Sequence, residues 1–261
     1  MEVLLEEHLI QEWLNEHICV LRLNRPAQYN ALSRSLVQDL RKAIAAVAAS
    51  EARVLVLTGT GRGFCAGADL RERKTMSDEE KYAHNRDINA IANELADLPI
   101  PTIVAINGTA MGGGCEISLA CDLRFISEDA VIGLTEARVG AIPGAGGSQR
   151  LPRLIGTARA LEMMYSGEPI DAHTAERFGL VNGVFPAADL NDRVMDLAQT
   201  LSTRSRRSTE LLKRTVYSGI ELPLAEALEV ERLAVVEILA SNDYKEGLAA
   251  FAEKRAPVFQ T

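Results

Sequence analysis

Two glutamates and two runs of small residues carry the chemistry legible in this chain. Gly112-Gly113-Gly114 opens a short apolar helix over residues 117–121, with Glu116 in its first turn. Glycine triplets suit no regular element well, so something must approach this backbone closely. A helix N-terminus also carries free N–H groups and the positive end of the dipole. The second run is Ala66-Gly67-Ala68-Asp69, and each run follows a buried-strand pattern. If those strands are neighbours, both runs emerge at one sheet edge, and two main-chain amides can converge on one oxygen. Such a hole suits an enolate-type anion, such as that of a thioester. Glu136 sits just after a strand and ahead of Pro143-Gly144-Ala145-Gly146-Gly147, a turn that exposes further amides. Two glutamates around one water can take a proton from it and deliver another to carbon. The plainer readings are a dipole partner for Glu116 and a loop ion pair with Arg138 for Glu136.

The elements that must position these groups follow from pattern. Residues 9–14 and 18–23 read as strands around a turn at Asn15-Glu16-His17. Leu36, Leu40, Ile44 and Val47 recur at helical spacing, so 33–50 is an amphipathic helix with Ser33 as its N-cap. Residues 53–59 and 102–106 are apolar on both faces, as buried parallel strands are. A long polar helix spans 77–98 and is stopped by Pro99 and Pro101. Residues 123–126 and 131–134 are short strands, and 180–185 is the last one. Helices are expected over 148–154, 158–165 and 172–178, the last with Asp171 as N-cap and Gly179 as its C′ residue. After about residue 190 only helical patterns remain, at 194–203, 209–218, 224–240 and 243–254. The division expected is a core over 1–190 and a helical region over 191–261. The apolar stripe Leu228, Leu233, Val236, Ile238 and Leu239 either caps the chain's own core or packs on another subunit.

Bulk properties narrow the function class. The 261 residues are 47% hydrophobic and 25% charged, as in a globular domain with a sizeable core. A net charge of -8 disfavours wholesale binding to a phosphate backbone. No apolar run reaches membrane-spanning length. Met1 to Glu7 lacks the build of a signal or transit peptide, so a cytoplasmic or already processed chain is expected. Cys19, Cys65, Cys115 and Cys121 read as reduced thiols, with no disulfide frame or zinc spacing. His8, His17, His84 and His173 read as surface or cap residues, Trp13 as strand packing, and Arg204, Arg206 and Arg207 as a solvated loop. Arg71, Arg73 and Lys74 are either a solvated helix end or an anchor for phosphate or for a substrate carboxylate.

Taken together, Phe64-Cys65-Ala66-Gly67-Ala68-Asp69-Leu70 and Ile106-Asn107-Gly108-x-Ala110-x-Gly112-Gly113-Gly114-x-Glu116 resemble the signature of the crotonase (enoyl-CoA hydratase/isomerase) superfamily. Asn24-Arg25-Pro26, Asn30-Ala31-Leu32, Pro143-Gly144-Ala145-Gly146-Gly147 and Gln149-Arg150-Leu151 extend the likeness over nearly the whole chain. The resemblance implies an α/β fold, a ββα spiral core with a C-terminal helical trimerisation region, in a homo-oligomer that is a trimer or a hexamer made of two trimers. It implies an acyl-CoA substrate and no separate cofactor or metal. By position, the amides of Ala68 and Gly113 would hold the thioester oxygen, and Ala66 would place its carbonyl on the adenine. Asp69, Leu70 and Arg71 would join the CoA and substrate contacts. Glu116 and Glu136 would be the catalytic pair, and the Gly144 amide would orient the water. Retention of both glutamates implies hydration of a trans-2-enoyl-CoA to a 3-hydroxyacyl-CoA. Ala68-Asp69-Leu70-Arg71-Glu72-Arg73 and Leu119-Ala120-Cys121-Asp122-Leu123-Arg124 are similar to the branch with methylglutaconyl-CoA hydratase of leucine breakdown. An isomerase of the same fold is a further alternative, and RNA binding is one from another class. The acidic residues Asp78, Glu79 and Glu80 dilute the basic segment that RNA binding would need.

Overall fold

Apolar runs too short to be helices become strands of two sheets. The computed structural model describes residues 2–5 and 7–260, with side chains from residue 7 onward. Met1, Glu6 and Thr261 lie outside the described residues, and with them part of the expectation drawn on residues 1–7. In chain order the strands are β1 (Glu2–Leu5), β2 (Leu9–Asn15), β3 (Ile18–Leu23), β4 (Val54–Gly59), β5 (Gly63–Cys65), β6 (Thr102–Ile106), β7 (Thr109–Met111), β8 (Leu123–Ser127), β9 (Val131–Gly133), β10 (Ile170–Asp171) and β11 (Gly183–Phe185). The helices are α1 (Arg34–Ala48), α2 (Leu70–Arg73), α3 (Asp78–Asp97), α4 (Gly113–Ala120), α5 (Gly147–Ile155), α6 (Thr157–Ser166), α7 (Ala172–Arg177), α8 (Leu190–Ser202), α9 (Arg206–Gly219), α10 (Leu224–Leu239) and α11 (Asn242–Glu253).

The larger sheet has the order β1-β2-β3-β4-β6-β8-β11, and the smaller one β10-β9-β7-β5. From β3 to β11 the large sheet is parallel, and its central strands β4 and β6 are buried along their whole length. Alternation sends Leu55, Leu57, Val104 and Ile106 to one face and Val54, Val56, Ile103 and Ala105 to the other. The first face shares a core with α1, α3, α4 and the small sheet, and half-buried Trp13 packs against it. The second is covered by Leu190, Val194 and Ala198 of α8.

Three times the chain runs from a strand of the large sheet to a strand of the small one and then into helical turns: β4-β5-α2, β6-β7-α4, and β8-β9 followed by a 3-10 turn at Glu136–Val139. This is the ββα repeat that the resemblance implied. Because β5, β7 and β9 are neighbouring parallel strands, their C-terminal ends lie at one edge. Residues 66–69, 112–114 and Glu136 therefore leave the small sheet together.

Local chemistry sets the helix starts. Ser33 caps α1 by accepting from the Leu36 N–H, and Ser77 with Glu80 closes a capping box on α3. The tail differs from the core. Helix α10 packs along α9 yet has no buried residue, and Leu228, Leu233 and Val236 are all more than half exposed. Of the arginines expected in a solvated loop, Arg204 stands exposed in the bend before α9, whereas Arg206 and Arg207 open that helix: Arg206 donates to Ser50 O at 3.0 Å, and Arg207 pairs with Glu210 and Glu237. Among the described residues no helix is long and apolar enough to cross a membrane.

Candidate active site

Two main-chain amides meet at the edge where the small sheet ends. Residues 67–69 form a short parallel bridge with Leu32: the Leu32 N–H donates to Gly67 O at 2.8 Å, and the Asp69 N–H donates to Leu32 O at 3.1 Å. Alternation along the strand then turns the Ala68 N–H away from Leu32. Gly113 is the first residue of α4, where an N–H has no acceptor within the helix. A methyl group added to Gly113 would lie 3.7 Å from the Ala68 nitrogen, and one added to Gly67 would lie 3.1 Å from the Gly113 nitrogen. The two nitrogens are thus neighbours. Gly112, at φ +49°, makes the reversal from β7 into α4. Gly114 admits the end of β5, since a Cβ there would sit 2.2 Å from Cys65 O.

The approach of these loops is fixed from the side by the Asn30-Ala31-Leu32 run. Fully buried Asn30 donates to Gly63 O at 2.8 Å and Thr60 O at 3.0 Å, and accepts from the Arg25 N–H at 2.8 Å. The Asp69 carboxylate caps α2 through the Arg71 and Glu72 amides and pairs with Arg25 at 3.0 Å, so it holds the loop. Ala66, Leu70 and Arg71 are exposed around the Ala68 amide.

Both glutamates reach this edge. Glu116 is 3% exposed, and its Oε1 accepts from the Ala145 N–H at 2.7 Å and the Gly147 N–H at 2.9 Å. It is therefore a partner of another loop's amides and not merely of its own helix dipole. Burial raises its pKa, opposed by the amides of Gly147, Ala145 and Gly144 and by the charge of Arg150. Glu136 stands in the 3-10 turn after β9, with Oε1 3.1 Å from where a Gly112 side chain would begin. Its Oε2 is buried without a hydrogen-bond partner. Burial above all, with the charge of Glu116, pushes its pKa up to about 7. The ion pair that would have explained Glu136 is absent among the described residues, because Arg138 pairs with Glu168. An arrangement of this kind can accept a proton at one carboxylate and donate one from the other beside a paired-amide anion site.

Helix α3 closes the site, and pattern reading passed over what it contributes. His84 is 2% exposed, a buried residue and not a surface one, and burial together with Arg73 holds its pKa below the usual range. Ile88, one turn on, lies against the position of a Gly113 side chain. Asn85 and Asn89 lie against Gly144: the Asn85 amide fills the space of a Gly144 Cβ, and Asn89 Nδ2 donates to Gly144 O at 3.2 Å. The signal that could have found them is a row of three asparagines, Asn85, Asn89 and Asn93, spaced four apart on a helix that otherwise mixes charged and apolar residues. Half-buried Arg73 has one side-chain hydrogen bond among the described residues, Nε to His84 Nδ1 at 3.4 Å, and its charge falls on both Glu116 and Glu136. The four cysteines are free and buried, and burial raises their thiol pKa values. A cavity of about 950 Å³ lies beyond Arg150, between α3, α5 and α9, and neither glutamate lines it.

Comparison with known proteins gives a consistent set of matches. The family model described as Enoyl-CoA hydratase/isomerase matches residues 14–261. The enoyl-CoA isomerase/hydratase fer4 of Mycosarcoma maydis is 39% identical over 249 residues, covering 92% of this chain and 91% of that protein. The mitochondrial methylglutaconyl-CoA hydratase of Rattus norvegicus is 38% identical over 259 residues, covering 97% and 82%. The crystal structure of an enoyl-CoA hydratase from Bacillus anthracis superposes with a TM-score of 0.95 at 39% identity, covering 97% of this chain and 99% of that one.

Proposed function

Since the chain belongs to the enoyl-CoA hydratase/isomerase family, we propose that it adds water across the 2,3 double bond of a trans-2-enoyl-CoA to give a 3-hydroxyacyl-CoA. The observation that carries this reading is the pairing of two carboxyls of raised pKa, Glu116 buried and Glu136 half-buried, with the neighbouring Ala68 and Gly113 amides at one sheet edge. In the mechanism proposed, the Ala68 and Gly113 amides take the thioester oxygen, which draws charge out of the double bond. Glu116, whose carboxylate form is held by the Ala145 and Gly147 amides, removes a proton from water, and the Gly144 amide orients that water. The water oxygen bonds to C3. Glu136, protonated over part of the neutral range, delivers its proton to C2. Glu116 then releases its proton to solvent and Glu136 regains one, so the sum is substrate plus water with no change of redox state, and the reading calls for no metal or separate cofactor. Ala66, Leu70 and Arg71, exposed at the mouth, are proposed to contact the CoA.

The test is loss of the conjugated enoyl-thioester absorbance with crotonyl-CoA. Glu116→Gln and Glu136→Gln are each expected to lower kcat by a factor on the order of 10²–10⁴, with little change in KM. Unchanged consumption by either variant would remove that residue from the mechanism. Retained activity on a 3-enoyl-CoA without Glu136 would move the assignment to an isomerase.

One observation favours a second reading, an acyl chain that ends in another carboxylate. Arg73 is half-buried, bears on both glutamates and has no acidic partner within ion-pair distance among the described residues. Such a guanidinium suits a substrate anion. Initial rates on crotonyl-, longer enoyl- and 3-methylglutaconyl-CoA decide between them. If Arg73 reads a carboxylate, Arg73→Met raises KM about tenfold or more for the acidic substrate only.

A further inference from the structure

We propose that Asn89, Asn93 and Arg150 are positioning residues: they form a closed hydrogen-bonded ring that holds residues 144–147, and through that turn the carboxylate of Glu116, in working register. Asn89 Nδ2 donates to Gly144 O at 3.2 Å, and Asn93 Nδ2 donates to Asn89 Oδ1 at 3.0 Å. Arg150 Nη2 donates to Asn93 Oδ1 at 2.9 Å, and Arg150 Nη1 donates to Ala145 O at 3.1 Å. The ring closes through the peptide between Gly144 and Ala145. Its direction is forced at both ends. A carbonyl can only accept and a guanidinium can only donate, so each asparagine has one orientation that completes the chain. Asn89 and Asn93 are four residues apart and project from one face of α3, so the helix supplies a rigid rail.

The turn is shaped to fit between this ring and Glu116. A Cβ on Gly146 would lie 2.0 Å from Arg150 Nη1, and one on Gly144 would lie 2.4 Å from Asn85 Nδ2. On the opposite side, a Cβ on Gly147 would lie 3.0 Å from Glu116 Oε1. The turn therefore lacks a side chain at Gly146, where Arg150 of the ring presses, at Gly144, where Asn85 does, and at Gly147, which meets the carboxylate. Upstream of the turn the chain is exposed, Val139 at 64% and Ile142 at 82%, so the ring adds its hold to that of the buried Ala145 methyl and the bonds to Glu116. The Gly144 carbonyl shares its peptide plane with the Ala145 N–H, one of the two donors to Glu116, and the Ala145 carbonyl belongs to the next peptide along. Fixing those peptide planes fixes the donor.

The kinetic arm of the test rests on the hydratase reading, and the exchange arm does not. Asn89→Ala and Asn93→Ala are expected to lower kcat on crotonyl-CoA on the order of ten- to a hundredfold with KM within about twofold, as misplacement of a catalytic group does. They are also expected to move the acid limb of the kcat profile to higher pH, because misaligned amides no longer favour the Glu116 carboxylate. The charged groups facing Glu116 are Glu136, Arg73 and Arg150. All three remain in the asparagine variants, so the limb reports the turn; in Arg150→Ala a cation is also lost, and the limb moves further. The double Asn89→Ala/Asn93→Ala variant is expected to be no worse than either single one, since a ring opens once. In hydrogen–deuterium exchange, peptides covering 143–151 are expected to exchange faster in each variant. Glu221→Ala, which removes an ion pair of Arg153 outside the ring, is the control and leaves that exchange unchanged. Exposed Asn93 carries the test if Asn89→Ala does not fold. Unchanged exchange over 143–151 in the asparagine variants, or an unchanged acid limb with unchanged kcat, overturns the proposal. If the wild-type protein hydrates no enoyl-CoA, the hydratase reading fails on its own and the exchange result still decides the ring.

Discussion

Glu116 and Glu136 are both carboxyls that their surroundings push toward the neutral form, but they are held differently. Glu116 has amide donors on Oε1, whereas Glu136 keeps a buried Oε2 with no donor. That difference has a consequence for stability. The folded-state pKa of Glu136 is about 7 against an ordinary 4.5, so the folded chain binds more protons than the unfolded chain between those values. Stability therefore falls as pH rises through that window, and the cost stays in full above it. Glu136→Gln removes the cost. The variant is expected to gain about 1–3 kcal/mol over wild type near pH 8 and nothing near pH 4, measured by urea unfolding at fixed protein concentration. A gain of equal size at both pH values would mean that the carboxyl is not strained by ionisation. The residue types were legible in the sequence; their unequal partners were not, because the donors come from a turn about thirty residues away from Glu116.

At the scale of elements, the site exists because short strands end together. β4 and β6 were legible as continuous apolar runs, but β5 and β7 are three residues each and have no pattern of their own. Their strand form is imposed by neighbours in the small sheet, so the meeting of the two glycine-bearing loops had to wait for the structure. The expected strand over 180–185 shrinks to Gly183–Phe185, because Leu180 O is taken up by Arg124 Nε at 2.8 Å. His84 misled for a related reason: a polar residue in a half-polar segment carries no mark of being buried until its partners in other elements are known. The element argument is testable at Gly114. A methyl there meets the Cys65 carbonyl at 2.2 Å, so Gly114→Ala forces α4 away from the end of β5 and parts the two amides. The expected outcome is a loss of about 1–3 kcal/mol of stability, the range of overpacking, together with a kcat on crotonyl-CoA at least about tenfold lower. Normal kcat in a folded Gly114→Ala protein would show that the amide pair does not depend on this contact.

The whole molecule leaves one surface unexplained by its own core. Sequence pattern left open whether the tail covers its own domain or another subunit, and the helices divide between the two roles. α8 seals the second face of the large sheet with Leu190, Val194 and Ala198. α10 buries none of its residues, while Leu224, Leu228, Leu233 and Val236 stand more than half exposed on it and Leu212, Val216 and Ile220 do so around α9. Polar contacts anchor α9 to the core through Lys213 and Tyr217, which both bond Asp122, so the hairpin is held in place while its apolar surface faces outward. Contiguous exposed apolar surface marks protein contacts, and a head-to-tail contact between copies closes into a ring, such as the trimer the family resemblance implies, when its rotation allows. We expect the protein to run in size-exclusion chromatography with light scattering as a trimer or a multiple of it. Leu228→Glu with Leu233→Glu is expected to shift the mass toward the monomer, because each introduces a charge where apolar contact is needed. The far-UV circular dichroism of the variant should remain that of the wild type, since neither side chain is part of the described core. A wild-type monomer at micromolar concentration would leave this face to a different partner, and an unshifted mass in the double variant would place the subunit contact elsewhere on the surface.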